Sequence, residues 1–207
     1  MKYLVLTQFG TPSESVQLHD DRDPVPGPGD VLVRMEAAAV NPSDLLLLRG
    51  VYLAKPELPA PVGGEGVGIV VDAGAQVDQG LLGKRVVVLP TYAYGTWAEK
   101  VVVPQDKVVE VAPDADPLQL AMLSINPATA HVMLNRFVDL KPGDWVAQPG
   151  ANSAVGRLVI TLAQLRTQDA QRGAARRGRR RGARRRWRAC AGQRARPGCR
   201  HRPRTRR

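Results

Sequence analysis

The sequence predicts an α+β chain: a many-stranded, barrel-like β domain, then the first strand and helix of a parallel α/β domain. Three observations predict it. Up to about residue 111, short Val-, Leu- and Ile-rich segments alternate with Gly/Pro turns, the pattern of an all-β unit. After Pro113 the apolar spacing becomes helical and leads through a turn and a short apolar run into a small-residue loop that opens a helix. From Arg166 onward the composition breaks: 18 of the last 42 residues are Arg, and none is Lys, Leu, Ile, Val or Phe. The expected division is therefore a β domain over 1–115, an incomplete α/β domain over 116–166, and a disordered Arg-rich segment over 167–207.

Strands are expected at 3–9, 15–18, 30–40, 66–72, 84–89 and 97–111, each bounded by turn residues. The run Pro24-Val25-Pro26-Gly27-Pro28-Gly29-Asp30 cannot be helical and forces an extended link. A short helix is expected at 43–49, with Ser43 or Asp44 near its start and Gly50 past its end. Its Leu45–Leu48 run shows no polar face, so it should be buried. Helices at 117–124 and 129–137 are separated by Asn126-Pro127. The turn Lys141-Pro142-Gly143-Asp144 then precedes an apolar strand at 145–147 and an amphipathic helix at 157–165.

Charge divides the same way. Residues 1–165 carry a formal charge of −6 and the remainder +17, so the basic balance of the whole chain, +11, comes from the Arg-rich segment. Both cysteines, Cys190 and Cys199, also lie there, which leaves the body without a disulfide or thiolate metal site. The N-terminal residues turn polar at once and lack the apolar core of a signal peptide, and no run approaches a membrane span. A reduced, cytoplasmic protein that does not enter a membrane is expected.

The segment Gly150–Gly156 is the candidate for holding a dinucleotide pyrophosphate. That group needs a tight strand-to-helix turn, close backbone approach and the positive end of a helix. Aligned to the Gly-x-Gly-x-x-Gly form, the chain has Ala151, Ser153 and Gly156, so only the last glycine survives. By itself the segment is equally a structural small-residue turn.

A second stretch is more distinctive: Asn41-Pro42-Ser43-Asp44, Gly50-Val51-Tyr52, and Pro59-Ala60-Pro61-Val62-Gly63-Gly64-Glu65-Gly66-Val67-Gly68. Together with Lys141-Pro142-Gly143-Asp144-Trp145-Val146 and Ala151-Asn152-Ser153-Ala154-Val155-Gly156, it resembles the medium-chain dehydrogenase/reductase superfamily over residues 1–166. Within it the chain looks most like the zinc-independent trans-2-enoyl-CoA/acyl-carrier-protein reductases, mitochondrial-type and bacterial. The resemblance implies a GroES-like catalytic β domain followed by a Rossmann domain. It implies NADPH as cofactor, an enoyl thioester of CoA or acyl carrier protein as substrate, and a homodimer. The sister quinone reductases, with the same cofactor turn, are the alternative within enzymes.

Zinc alcohol dehydrogenases of the superfamily carry a Cys ligand near Ser43 and a His ligand just before Glu65. Here Pro42-Ser43 and Gly64 stand in those places. Zn²⁺ needs several converging ligands, whereas His19, His131 and His201 are isolated, so no metal is expected. Without a metal, the resemblance gives the polarising role to Tyr52, a phenol that can hydrogen-bond the enolate oxygen as hydride arrives at the β-carbon. Read without the resemblance, Tyr52 is a turn residue. Asn126 matches a position on the nicotinamide side, and is equally a helix cap or kink beside Pro127. Asn152, Ser153, Ala154 and Val155 map onto the pyrophosphate turn. Tyr92, Tyr94 and Trp97 either line an acyl channel or pack in the core.

The Arg-rich segment has two readings. It can be a basic arm binding nucleic acid through phosphates, which any polyarginine does non-specifically. It can also be an out-of-frame product of GC-rich DNA, since it begins in mid-helix and holds Arg, Ala, Gly and Pro with no Lys or Ser. Shifted by one base, the codons of Thr167-Gln168-Asp169-Ala170-Gln171-Arg172-Gly173 can encode Gly-Leu-Lys-Thr-Leu-Asn-Val, which has the form of a second Rossmann strand. With no apolar side chains except alanines, Trp187 and the cysteines, the segment cannot bury enough surface to offset its ordering entropy, so disorder or an unsupported helix is expected from about residue 167. The chain is then expected to bind NADPH negligibly.

Overall fold

A computed structural model describes the backbone of residues 1–176, apart from 54, 91, 142 and 143, and the side chains up to 165. Two compact units divide between Ala128 and Thr129.

The first unit is built from antiparallel strands. β1 (Lys2–Leu6) pairs with β2 (Val16–Asp20) on one side and β4 (Ala60–Pro61) on the other. A five-stranded sheet runs in the order β7 (Lys100–Pro104), β3 (Asp30–Ala38), β5 (Gly66–Ala73), β6 (Arg85–Val88), β8 (Val108–Glu110). β3 is the longest strand, and its register with β5 shifts twice, between Leu32 and Val33 and between Met35 and Ala37. Such bulges bend a strand and sharpen its twist, which helps the sheet curl.

Valine dominates because a β-branched side chain packs well on a half-buried pleated surface. Val31, Val33, Val70, Val77, Val86, Val88, Val101 and Val103 form one core on the five-stranded sheet. Val67 and Val87 point the other way and are covered by Leu120 and Ala121 at α3 (Pro117–Leu120). That contact is why the first unit reaches Ala128, beyond the boundary at 115 expected from the sequence. Arg85 reinforces it: the guanidinium pairs with Glu36 at 2.8 Å and donates to the carbonyls of Pro113 and Ala115. A separate core of Leu6, Leu47, Leu48, Ala60 and Val62 joins β1, β4 and α2 (Pro42–Leu48).

Three expectations change. The strand expected over 97–111 is two strands, β7 and β8, because Pro104 starts a 3-10 turn at Gln105–Lys107. A short helix, α1 (Pro12–Ser15), precedes β2, with proline at its first position. The strand expected at 145–147 does not form. Trp145 is 77 % exposed and Val146 41 %, and among the described residues no strand lies beside them to complete a hydrogen-bond ladder.

The second unit holds most of α4 (Asn126–Asn135) and α5 (Ala154–Arg176). Ala130 and Leu134 pack with Val159, supported by Val155, Leu158 and Leu162. The helix expected at 157–165 is longer at both ends. Its backbone continues ten residues into the Arg-rich segment, for which disorder or an unsupported helix was expected; residues 177–207, the rest of that expectation, lie outside the described residues. No described helix is long and apolar enough to cross a membrane.

Candidate functional site

The site in the first unit is built around a buried carboxylate. Glu65 stands just before β5 with no solvent exposure, where an unpaired charge would be very costly. It is fully answered. One carboxylate oxygen accepts from the Asn41 side-chain amide at 2.9 Å. The other accepts from the Ser124 N–H at 3.1 Å, the Ser124 hydroxyl at 2.8 Å and the Ile125 N–H at 2.8 Å. The Thr96 hydroxyl donates to the Glu65 carbonyl at 2.9 Å. Glu65 thus ties Asn41, at the start of α2, to the backbone that opens α4.

Asn126 follows directly, and its amide donates to Asn41 Oδ1 at 3.3 Å. Both readings given to Asn126 by the sequence are compatible with this place, at the head of a helix and fixed from the side by Asn41. Asn41 also donates its N–H to Asp44 Oδ2 at 2.6 Å, the return bond of a capping box. Asp44 is 3 % exposed, and its other oxygen has no hydrogen-bond partner among the described residues. Burial pushes its carboxyl above the ordinary aspartate value; the backbone N–H groups of Asn41 and Gly64 oppose this and the nearby Glu65 charge adds to it.

Tyr52 lies just past the end of α2. Gly50, at φ +71°, closes that helix with bonds from its own N–H to Leu47 and from the Val51 N–H to Leu46, a Schellman motif that fixes where the loop leaves. Tyr52 is half-buried against the Leu6/Leu47/Leu48 core and meets Tyr92 edge-on, with ring centroids 5.7 Å apart. Tyr92 and Trp97 pack on that same core, and the Trp97 indole N–H donates to the Ala39 carbonyl at 2.9 Å. Tyr94 packs instead against the valine core of the five-stranded sheet. The three aromatics therefore divide between two cores and do not form one cluster.

In the second unit, Ser153 caps α5: its hydroxyl accepts from the Gly156 N–H at 3.1 Å, and its own N–H donates to Gly150 at 2.9 Å. The Ala154 and Val155 N–H groups belong to the first turn, which has no carbonyl four residues earlier in the helix to receive them. Asn152, Ser153 and Ala154 are exposed. A Cβ on Gly156 would stand 2.5 Å from the Gly150 carbonyl oxygen, so the surviving glycine of the motif allows helix and turn to touch.

Among the described residues no group of three His, Cys, Asp or Glu could hold a metal ion. His19 stacks tilted on Tyr3, and His131 is exposed. In the sequence Asn41, Asp44 and Glu65 stand only as motif residues, Asp44 also near a helix start, with no sign that they share one buried network. The available signal was two acids inside apolar, glycine-rich stretches, where burial demands partners.

Residues 27–114 match the alcohol dehydrogenase GroES-like domain. This domain match, with the similarities that follow, supports a member of the medium-chain dehydrogenase/reductase superfamily. Within it, the chain is similar to the mitochondrial enoyl-[acyl-carrier-protein] reductase of Xenopus tropicalis, 38 % identical over 160 residues, which cover 77 % of this chain and 45 % of the relative. Among solved structures it resembles a putative NADPH:quinone reductase from Bacillus thuringiensis, with 35 % identity and TM-score 0.71 over 79 % of this chain and 49 % of that one. It also resembles a mutant enoyl thioester reductase from Candida tropicalis, with 30 % identity and TM-score 0.69 over 79 % and 51 %. The chain spans about half the length of the relatives it matches.

Proposed function

We propose that residues 1–166 carry the catalytic domain and the opening of the cofactor domain of an NADPH-dependent trans-2-enoyl thioester reductase. The observation that carries this reading is Tyr52, half-buried beside a second phenol in a domain whose relatives include enoyl thioester reductases. The pyrophosphate turn fits the cofactor: a capped helix start with open first-turn N–H groups and exposed Asn152, Ser153 and Ala154 suits an anion. When bound, NADPH supplies the hydride that reaches the β-carbon.

The rest belongs to the chain's own residues. Tyr52 donates a hydrogen bond to the thioester oxygen as negative charge builds there. Asn126, held by Asn41, orients the nicotinamide side, and 152–155 hold the pyrophosphate. No metal takes part: Ser43 and Gly64 stand where zinc relatives carry ligands. The enzyme is cytoplasmic and works as a homodimer. Its acyl carrier is CoA or acyl carrier protein.

The Arg-rich segment is a shift of reading frame near codon 166, in this reading. Alignments with the relatives cover 77–80 % of the chain, about the length that precedes it. With that segment in place, the chain has negligible NADPH affinity, which NADPH fluorescence checks.

The deciding experiment sequences the DNA across codon 166 and assays a frame-restored chain with NADPH and crotonyl-CoA. Turnover is expected, and Tyr52→Phe should lower kcat about 10²-fold or more, the usual weight of a positioned acid. Reduction of a quinone but not crotonyl-CoA, with Tyr52→Phe silent, would establish the sister activity instead.

A further inference from the structure

Tyr92 has features that core packing does not require. Its backbone sits at φ +52°, a left-handed conformation rarely adopted by a bulky residue. Such strain persists where surrounding contacts over-determine it. Here three contacts do. The hydroxyl donates to Ser43 Oγ at 2.9 Å. The ring meets Tyr52 edge-on at 5.7 Å. The ring also lies over the bare backbone of Gly64, where a Cβ would come within 2.8 Å of Tyr92 Cε1 and 3.2 Å of Asp44 Oδ1. Tyr92 thus fills the space that a side chain at position 64 would need.

We propose that Tyr92, anchored by Ser43, is a positioning residue for Tyr52, holding that phenol in one orientation toward the substrate. The proposal rests on the role given to Tyr52 above. Its chemistry is consistent: the Tyr92 phenol is pushed up to about 12, first by burial and then by the Asp44 charge and Tyr52, with the Ser43 contact acting in opposition. Near neutral pH it therefore remains a neutral donor. A fixed neutral hydroxyl beside Tyr52 restricts its ring without adding a charge that would compete for the substrate oxygen. Gly64 makes this possible, because any larger residue there would displace the Tyr92 ring.

The test needs no turnover. The full chain is labelled with ¹³C at the tyrosine phenol carbon, which gives one NMR signal for each of its four tyrosines. Tyr→Phe variants assign them. Tyr92→Phe keeps the ring and removes the hydroxyl, so the Tyr52 signal should move by more than its linewidth while those of Tyr3 and Tyr94 stay in place. An unmoved Tyr52 signal overturns the proposal. Should Tyr92→Phe disturb all the signals, Ser43→Ala, which leaves both phenols, decides: Tyr52 must move together with Tyr92, and an unmoved Tyr52 is again fatal. An inactive reductase would leave this coupling intact, and a missing coupling would leave the role of Tyr52 to the kinetic assay.

Discussion

Val86, Val87 and Val88 in the first unit, and Trp145 and Val146 in the second, come from equally apolar short runs. The valines are 0–3 % exposed, with β5 on one side and β8 on the other. Trp145 and Val146 are 77 % and 41 % exposed and belong to no strand. Apolar composition licenses a strand, and a neighbour makes one. A parallel strand depends on this more than an antiparallel one, since its partner arrives only after a crossover helix. The first unit closes its pairing within itself, whereas the described part of the second offers helices and no strand.

The same contrast holds for polar groups, and the largest expected effect lies there. Glu65→Ala would strip the acceptor from the Asn41 amide, two Ser124 donors and the Ile125 N–H. Leaving a buried donor unsatisfied costs about 1–3 kcal/mol, and several donors are left here, so urea unfolding of the first unit should shift by at least that amount. A loss under about 1 kcal/mol would mean that water reaches these donors freely, and the closed-unit picture would fail.

Much of this was legible in the sequence, and the rest failed for definable reasons. β6 and α2 could be read because local patterning and capping residues determine them. The link between Asn41 and Glu65 spans 24 residues, and that between Glu65 and Ser124 spans 59, so no local pattern reveals them. The helix-opening role of Ser153 was only implied, through the pyrophosphate turn. The 145–147 run misled because its composition was right and its missing neighbour is a property of the fold. Tyr92 was visible as an aromatic, but its left-handed backbone and its bond to Ser43 were not.

A second prediction concerns pH. The Asp44 carboxyl is raised above the ordinary value of 3.8, so the fold favours its protonated form. Its contribution to stability is therefore fully present below that value and declines as pH rises through the higher folded value. Asp44→Asn keeps an acceptor for the Asn41 N–H and removes the charge. Its melting temperature should vary less above about pH 4 than that of the parent, and at neutral pH it should be no less stable. A variant that melts markedly lower at neutral pH would show that the charge itself is used.

In the second unit the effects should be smaller. Ser153→Ala removes the α5 cap and should cost about 1 kcal/mol of helix stability, read from the circular-dichroism melt. If the melt is unchanged, the turn is not held as described, and its fitness for an anion weakens with it.

The smallest expected effect tests the comparison most directly. Trp145→Ala truncates the largest side chain of the run that failed to become a strand. Packed between neighbours, as Val86 and Val88 are, an aromatic would lose about 3–5 kcal/mol on truncation. At 77 % exposure the change should fall within about 0.5 kcal/mol. Denaturant midpoints of parent and variant supply the number. A multi-kilocalorie loss would mean that Trp145 has found a neighbour, and the contrast between the two units would then lie elsewhere. In the frame-restored chain, where a second strand can form alongside, the same substitution should become costly, because there Trp145 would gain the neighbour that it lacks among the described residues.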